Sequence, residues 1–163
     1  MQYYEVYLSF GSNVGDRGAN IKSALKHLND LGVKKKKLSS LYETEPWGNS
    51  NQSSFLNMVG LFVSSLPPSG LMNEILRIEN LMGHRREKKW EPRIIDIDIL
   101  FYGNEIINEI GLMIPHPEIE NRKFVLIPME EIASEFVHPV IKKSMRIILN
   151  ECSDGLMVEL FNV

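Results

Sequence analysis

Hydrophobic residues recur along this chain at two spacings, and the change from one to the other predicts its elements. Alternating or continuous runs of aromatic and β-branched residues predict strands over residues 3–10, 33–44, 55–65 and 93–103. Apolar positions three and four residues apart predict helices over residues 19–32 and 66–83, each closed by a glycine. Residues 104–133 predict a small hairpin, a turn and a short helix, and residues 142–152 predict a last helix.

The order of these elements is β-α-β-β-α-β with an extension, which is typical of the split βαβ arrangement. We therefore expect an α+β fold, a ferredoxin-like antiparallel sheet with both of the first two helices packed on one face, and a C-terminal extension. No repeat, linker or low-complexity tract divides the chain, so residues 1–163 are predicted to form a single domain.

The amino-acid composition excludes several classes of protein. Hydrophobic residues make up 44% of the 163 residues and charged residues 24%, which excludes a disordered chain. The net charge of -3 argues against a general nucleic-acid binder. The single cysteine, Cys152, allows no intrachain disulfide. The N-terminus does not resemble a signal peptide and no apolar run would span a bilayer, so we expect a cytoplasmic protein without membrane or nucleic-acid partners.

Asp96 and Asp98 stand two residues apart in a strand that is otherwise apolar. Side chains at this spacing share a face, with Cα atoms roughly 6.5 Å apart. The alternate positions are expected to face a core: Ile95, Ile97, Ile99 and Phe101. Two like charges this close repel unless a cation lies between them, and Mg²⁺ prefers carboxylate oxygens while leaving positions for water and phosphate. The alternative for so short a motif is one hydrated aspartate and one paired with an arginine.

The segment before this strand concentrates positive charge: His84, Arg85, Arg86, Lys88, Lys89 and Arg93. Taken alone, such a segment is typical of a solvated surface loop. Beside a metal-binding carboxylate pair it predicts a clamp for polyphosphate, because guanidinium groups donate in pairs to phosphate and neutralise charge on a transferring phosphoryl group. Trp90, in the same loop, is either a local anchor or a lid that closes on a ring.

Other candidate residues combine aromatic and polar groups. Phe55 and Asn57 share a face of the third strand, and Phe124 lies near Arg122. An aromatic surface with an amide that both donates and accepts suits a flat heterocycle, and plain core packing is the alternative. His116, held between two prolines, either contacts phosphate or caps a turn. The segment "GSNVGD" lacks the lysine and spacing of a P-loop, so we expect it to cap a helix.

Seven ordered blocks of the chain resemble one known family: "GSNVGD", "YETEPWG", "FLNMV", "RIE", "EPRIIDIDILFYG", "IPHP" and "NRKFVLIPMEEIA". Together they span about residues 11–133 and are similar to the 6-hydroxymethyl-7,8-dihydropterin pyrophosphokinases of folate biosynthesis. The resemblance implies an ATP-dependent enzyme that transfers the β,γ-pyrophosphate of ATP to the pterin hydroxymethyl oxygen and releases AMP. Departures from the family pattern are His84 in place of arginine, Glu91 in place of glycine, and Pro117 in place of an aromatic residue.

The resemblance also implies a role for each matching position. Two Mg²⁺ ions would be held by Asp96 and Asp98, which with Arg86 and Arg93 would form the catalytic group. The pterin would contact Thr44, Pro46, Trp47, Phe55, Asn57, Trp90 and Phe124. ATP would contact Glu79, Arg86, Trp90, Arg93, Ile99, His116 and Arg122. The expected partners are these two small-molecule substrates, bound by a monomer.

Two other classes of protein would explain some of these candidate residues. A metal-dependent glycosyl- or nucleotidyltransferase would use the aspartate pair, but it would not need the paired aromatics. A ferredoxin-like regulatory domain would bind a ligand without catalysis, and the density of cationic groups beside two carboxylates argues against it. Release of AMP from ATP only in the presence of a hydroxymethylpterin would distinguish the pyrophosphokinase from both.

Overall fold

The structure, a computed structural model, describes residues 1–48, 51–83 and 92–162. The described strands are β1 (Tyr4–Ser12), β2 (Lys34–Leu38), β3 (Tyr42–Thr44), β4 (Phe55–Ser64), β5 (Asp96–Tyr102), β6 (Ile107–Glu109), β7 (Leu112–Ile114) and β8 (Val158–Leu160). The described α-helices are α1 (Arg17–Asp30), α2 (Pro68–Leu81), α3 (Lys123–Ala133) and α4 (Met145–Glu151), with a 3₁₀ turn at Ile119–Asn121. None of the helices in these ranges has the length and apolar character needed to cross a bilayer.

The main sheet has the strand order β5-β1-β4-β3-β8, and β2 also pairs with β4. All of these pairings are antiparallel. Strands β6 and β7 form a separate two-stranded hairpin, as predicted for that segment. The chain is therefore a mixed α and β protein built on an antiparallel sheet.

Helices cover both faces of the main sheet. On one face, α1 and α2 bury the apolar positions that gave the helical prediction, among them Ile21, Leu28, Leu71 and Ile75. On the other face, α3 and α4 pack Leu126, Met129, Met145 and Ile148 against the sheet. The expectation that the first two helices share a face is confirmed, and the C-terminal helices add a third layer.

The helix termini follow from local chemistry. The carboxylate of Asp16 accepts a hydrogen bond from the backbone N–H of Ala19 at 3.0 Å, so "GSNVGD" caps α1 as predicted. Helix α2 begins at Pro68, a position where the missing N–H of proline costs no hydrogen bond.

The predicted strand over residues 33–44 is two strands, because serine side chains interrupt its ladder. The hydroxyl of Ser39 accepts from the backbone N–H of Val59 at 3.0 Å, and the backbone N–H of Ser40 donates to Glu131 of α3. The backbone N–H of Ser39 still donates to the carbonyl of Val59 at 2.8 Å, so the chain leaves the pairing with β4 after Ser39 and returns to it as β3.

Strand β5 keeps the predicted alternation only over its first half. Ile95, Ile97 and Ile99 face the α1–α2 layer as expected. A register shift then occurs, because Tyr7 pairs with Phe101 whereas Leu8 pairs with Ile99. The extra residue turns Phe101 to the opposite face, where it packs beneath α3 and α4. The prediction that Phe101 shares a face with Ile99 is wrong for this reason.

Candidate active site

One pocket opens on the α3–α4 face of the sheet, where the ends of β1, β4 and β5 meet the loops after β3 and β7. Its lining residues are Ser9, Phe10, Gly11, Glu45, Trp47, Gln52, Phe55, Asn57, Arg93, Asp96, Asp98, His116, Arg122 and Phe124. Nine of these were predicted as site residues, although they lie on six different segments of the chain.

The floor of the pocket is a row of cross-strand neighbours. In the register of the sheet, Gly11 of β1 pairs with Asp96 of β5 on one side and with Asn57 of β4 on the other. Ser9 pairs with Asp98 in the same way. Cross-strand neighbours present their side chains to the same face, so both carboxylates and the amide point into one space. Gly11 has no side chain to fill the space between them.

The space above Gly11 is closed to any larger residue. A Cβ atom at this position would stand 2.7 Å from Oδ1 of Asn57 and 3.5 Å from a ring carbon of Phe55. Real Cβ atoms essentially never come this close, so a side chain at position 11 would force the amide of Asn57 away from its bond to Thr44.

Asn57 is fixed in orientation by Thr44. The amide nitrogen of Asn57 donates to the hydroxyl of Thr44 at 2.5 Å, and both side chains are buried. Thr44 does not line the pocket itself. With its nitrogen engaged, Asn57 directs its amide oxygen toward Gly11 and the pocket floor.

Arg93 is anchored at the pocket rim by Asn13. The backbone N–H of Arg93 donates to Oδ1 of Asn13 at 2.6 Å, and the backbone N–H of Asn13 donates to the carbonyl of Arg93 at 3.0 Å. The amide nitrogen of Asn13 also donates to Gln52 and to the carbonyl of Ser53. One buried asparagine in "GSNVGD" thus joins three segments, a role that the capping prediction for this loop missed.

The guanidinium of Arg93 lies 3.3 Å from Oδ1 of Asp96. The alternative reading of the aspartate pair, in which one acid pairs with an arginine, therefore describes Asp96. Both residues line the pocket, so this ion pair lies within the site.

Arg122 lies against two aromatic rings. Its guanidinium carbon is 4.5 Å from the ring centroid of Trp47 and 5.6 Å from that of Phe124. Burial lowers the pKa of Arg122, while the negative charges of Asp98, Glu118 and Asp96 act in the opposite direction. A cation thus stands between the aromatic part of the pocket and its acidic part.

His116 is held neutral by its surroundings. Its backbone N–H donates to the carbonyl of Leu100, and its ring Nδ1 accepts from the backbone N–H of Glu118 at 3.1 Å. Burial, with the positive charge of Arg122 as the second cause, lowers the pKa of His116 to about 4. The ring caps a turn, which is one of the two alternatives for this residue, and it also lines the pocket; contact with phosphate stays a prediction.

Five other predicted positions lie outside the pocket lining or outside the described residues. Glu79 is 1% exposed, and its carboxylate accepts from the backbone N–H of Ile97 at 3.0 Å, on the strand between the two aspartates. The side chain of Ile99 is buried beneath α1 and α2. Pro46 stands beside the lining residues Glu45 and Trp47. Arg86 and Trp90 lie outside the described residues.

Five lining residues were missed by the sequence analysis: Ser9, Phe10, Gly11, Glu45 and Gln52. Ser9 and Gly11 alternate on β1 as the two aspartates do on β5, so a prediction of the β1–β5 pairing would have found them. Glu45 and Gln52 sit in polar loop sequence that carries no comparable signal.

The donor set fits a hard divalent cation. Within the described ranges, no cluster of three or more histidine, cysteine or acidic side chains is poised to bind a metal. Mg²⁺ does not require such a cluster, because it is commonly bound by one or two carboxylates together with substrate phosphates and water. Asp96 and Asp98, on one face and open to a pocket, match that type of site.

The sheet and its pocket define an α+β protein with a composite binding cleft, acidic at one end, aromatic at the other and cationic between them. Residues 7–134 match the model of the 7,8-dihydro-6-hydroxymethylpterin-pyrophosphokinase family, HPPK. The chain belongs to this family and is accordingly a pyrophosphokinase, an enzyme of the transferase class.

Relatives in sequence agree with this placement. A 2-amino-4-hydroxy-6-hydroxymethyldihydropteridine pyrophosphokinase of Aquifex aeolicus is 41% identical over 141 residues, which cover 86% of this chain and 88% of that protein. The protein of the same name from Methylorubrum extorquens is 40% identical, over 80% of this chain and 84% of its own.

Solved structures share the fold. A crystal structure of Plasmodium falciparum HPPK-DHPS superposes with a TM-score of 0.74 at 18% identity. The alignment covers 92% of this chain and 45% of that chain, so this chain spans less than half of the larger protein. At 18% identity, this similarity shows a shared fold and nothing more.

Proposed function

We propose that this protein transfers the β,γ-pyrophosphate of ATP to the hydroxymethyl oxygen of 6-hydroxymethyl-7,8-dihydropterin in folate biosynthesis, releasing AMP in a Mg²⁺-dependent reaction. The observation that carries the proposal is the composition of one pocket. Two strand carboxylates, two guanidinium groups and a set of aromatic rings with a fixed amide all face the same space. Each part suits a different portion of the two substrates.

The aromatic end of the pocket suits the pterin. Phe55, Phe124 and Trp47 offer flat apolar surfaces to a bicyclic ring. The amide of Asn57, oriented by Thr44, offers a polar edge to the donors and acceptors of the heterocycle. Pro46 and Trp90 remain predicted contacts from the family resemblance.

The charged end suits the triphosphate. Arg93 and Arg122 supply planar donors for phosphate oxygens, and the neutral ring of His116 adds a donor through its second nitrogen. Glu79 and Ile99 remain predicted nucleotide contacts from the family resemblance. Ile99 lies on the strand that carries the aspartates, and Glu79 bonds to the backbone of that strand. Arg86 stays a predicted phosphate contact.

Asp96 and Asp98 would hold two Mg²⁺ ions. Bound there, the metal would neutralise phosphate charge and lower the pKa of the attacking hydroxyl. The residues of the chain itself need to do little covalent chemistry. They hold the hydroxymethyl oxygen in line with the β-phosphorus, exclude water, and compensate the charge that develops as AMP leaves. In the step, the hydroxymethyl oxygen gives its proton to water and forms a bond to the β-phosphorus, while the bond from the β-phosphorus to the α,β-bridging oxygen breaks and AMP leaves with that oxygen.

Two finer points of architecture belong to the same proposal. The strand order β5-β1-β4-β3, with α1 and α2 on one face, supports a ferredoxin-like core with a C-terminal extension. Both apolar clusters pack against the one main sheet, which supports a single domain over residues 1–163.

The direct test measures AMP formed from ATP, with and without 6-hydroxymethyl-7,8-dihydropterin and with and without Mg²⁺. We expect AMP only when the pterin and the metal are both present. AMP release without the pterin would point to a different transferase, and no AMP under any condition would refute the proposal.

The aspartate pair is tested by Asp98→Asn, which removes one charge and little volume. We expect activity to fall by about a hundredfold to a thousandfold because an electrostatic group at the reacting phosphates is lost. Mg²⁺-dependent binding of a non-hydrolysable ATP analogue should weaken, while the metal-free melting temperature stays close to that of the wild type. Asp30→Asn, which alters an exposed carboxylate of α1, is the matched control. A large drop in metal-free stability in Asp98→Asn alone would assign Asp98 to a structural role.

A further inference from the structure

The last residues of the described chain touch both sides of the pocket. We call residues 154–161 the C-terminal segment. The match to the family model ends at residue 134, before this segment begins. The sequence analysis assigned it no function and did not predict its strand, β8.

One end of the C-terminal segment holds the start of α3. The carboxylate of Asp154 accepts from the backbone N–H of Lys123 at 3.1 Å through Oδ2, and from the backbone N–H of Leu156 at 2.9 Å through Oδ1. Lys123 stands between two lining residues, Arg122 and Phe124. A bond to its backbone therefore fixes the direction from which both side chains enter the pocket.

The other end holds the loop that follows β3. The backbone N–H of Met157 donates to the carboxylate of Glu45 at 2.6 Å, and the backbone N–H of Glu45 donates to the carbonyl of Met157 at 3.2 Å. Glu45 lines the pocket, and Val158 pairs with Thr44, the residue that orients Asn57.

The segment is itself fixed along the sheet edge. Leu160 pairs with Tyr42, and the backbone N–H of Phe161 donates to the carbonyl of Leu41 at 2.9 Å. The guanidinium of Arg17 lies 5.7 Å from the ring centroid of Phe161 and also pairs with Glu43 of β3. A strand held at several points is a rigid spacer rather than a loose tail.

We infer that Asp154 is a positioning residue for the pterin half of the site, and that the C-terminal segment sets the separation between its two walls. One wall carries Phe124 and Arg122, and the other carries Trp47 and Asn57. The inference rests on the proposed function, since it concerns the same pocket. The C-terminal segment does not position Asp96 or Asp98, because β5 and β8 lie at opposite ends of the strand order.

The test compares Asp154→Ala, Asp154→Asn and the wild type in the full chain. Binding of the hydroxymethylpterin is measured by titration calorimetry on protein saturated with Mg²⁺ and a non-hydrolysable ATP analogue. Affinity for the analogue alone is measured in parallel. Asp30→Ala, which removes an exposed carboxylate from α1, is the matched control.

We expect Asp154→Ala to raise the Kd of the pterin about fivefold, the effect of losing one well-formed hydrogen bond to the wall. At about 1.4 kcal/mol per tenfold change, this is about 1 kcal/mol. Asp154→Asn should lie between Asp154→Ala and the wild type because its amide oxygen retains one acceptor. The Kd of the analogue should rise by less than that of the pterin, because Arg122 is its one predicted contact on this wall. Both constants in Asp30→Ala should stay within about twofold of the wild-type values.

An unchanged pterin Kd in Asp154→Ala would overturn the inference, and so would an equal loss of affinity for pterin and analogue, which marks general destabilisation. If the wild type itself bound no pterin, the proposed function would fall and this inference with it. Wild-type binding together with an unaffected variant would reject the positioning role alone.

Hydrogen exchange on the unaltered protein gives a second measurement that does not depend on the variant folding. Coupling between sites is reciprocal, so a pterin that orders the walls must also order the segment that joins them. We expect the amides of Met157 and Lys123 to exchange more slowly when pterin and analogue are bound. Exchange at these amides that is indifferent to the pterin would overturn the inference.

Discussion

The pH dependence of stability offers a sharp test of the electrostatics around His116. The pKa of this ring is lowered from 6.5 to about 4, first by burial and then by the charge of Arg122, against the opposing effects of Asp96 and Glu118. Its Nδ1 accepts a backbone hydrogen bond from Glu118, which a proton on that nitrogen would break. The folded state therefore favours the neutral ring.

The direction of the effect follows from proton linkage. Between pH 6.5 and about 4 the unfolded chain binds a proton that the folded protein does not. The stabilising contribution of the neutral ring is thus fully present above the unfolded pKa and is lost as the pH falls toward the folded one. Each unit of difference is worth about 1.4 kcal/mol. From about pH 7.5 to about pH 5, His116 should account for about 2 kcal/mol of lost stability.

His116→Asn isolates this contribution, because the asparagine oxygen can accept the same bond from Glu118 but does not titrate in this range. Urea unfolding at the two pH values, followed by circular dichroism, gives the free energy of unfolding of each protein. The wild type should lose about 2 kcal/mol more than His116→Asn over the interval. His27→Asn, which leaves His116 in place, should keep the wild-type dependence. Equal losses in the wild type and His116→Asn would refute the reasoning.

Two further substitutions test the pocket floor and its support. Gly11→Ala places a Cβ 2.7 Å from Oδ1 of Asn57, so it should weaken pterin binding at least about tenfold and lower the free energy of unfolding by about 1–3 kcal/mol. The control is Gly18→Ala, whose Cβ meets nothing closer than 3.9 Å and which should be neutral or slightly stabilising. Calorimetric titration and urea unfolding measure both variants, and unaltered pterin binding in Gly11→Ala would contradict the geometry. Glu79→Ala removes the acceptor for the Ile97 N–H and should lower the free energy of unfolding by about 2 kcal/mol, with Glu79→Gln recovering most of it. Glu74→Ala, on the exposed face of the same helix, should change it by less than about 0.5 kcal/mol, and equal effects at Glu74 and Glu79 would contradict the assigned support.

Much of the candidate site could be predicted from the sequence because several of its residues lie two positions apart in the same strand. The spacing of Asp96 and Asp98 places both carboxylates on one face of a strand whatever the rest of the chain does. The same holds for Phe55 and Asn57 on β4. The helices were predictable for a similar reason, since an amphipathic period and a capping aspartate act within a few residues.

Contacts between distant segments could not be predicted from local spacing. Asn13 bonds to Arg93 across 80 residues, and Glu45 bonds to Met157 across 112. Strand β8 is only three residues long and has one intermediate and two exposed positions, so no periodicity marks it. The register shift in β5 is likewise a property of its pairing with β1 and not of its own sequence.

The sequence by itself determined where α1, α2 and the longer strands form and that Asp96 and Asp98 share a face, because those properties depend on backbone geometry over neighbouring residues. The tertiary structure alone decided that Gly11 lies between Asp96 and Asn57, and that the C-terminal segment bonds to both Lys123 and Glu45. Such juxtapositions depend on strand register and on bringing together segments that are tens of residues apart. Many different local sequences are compatible with the same pairing, so the local pattern does not specify it.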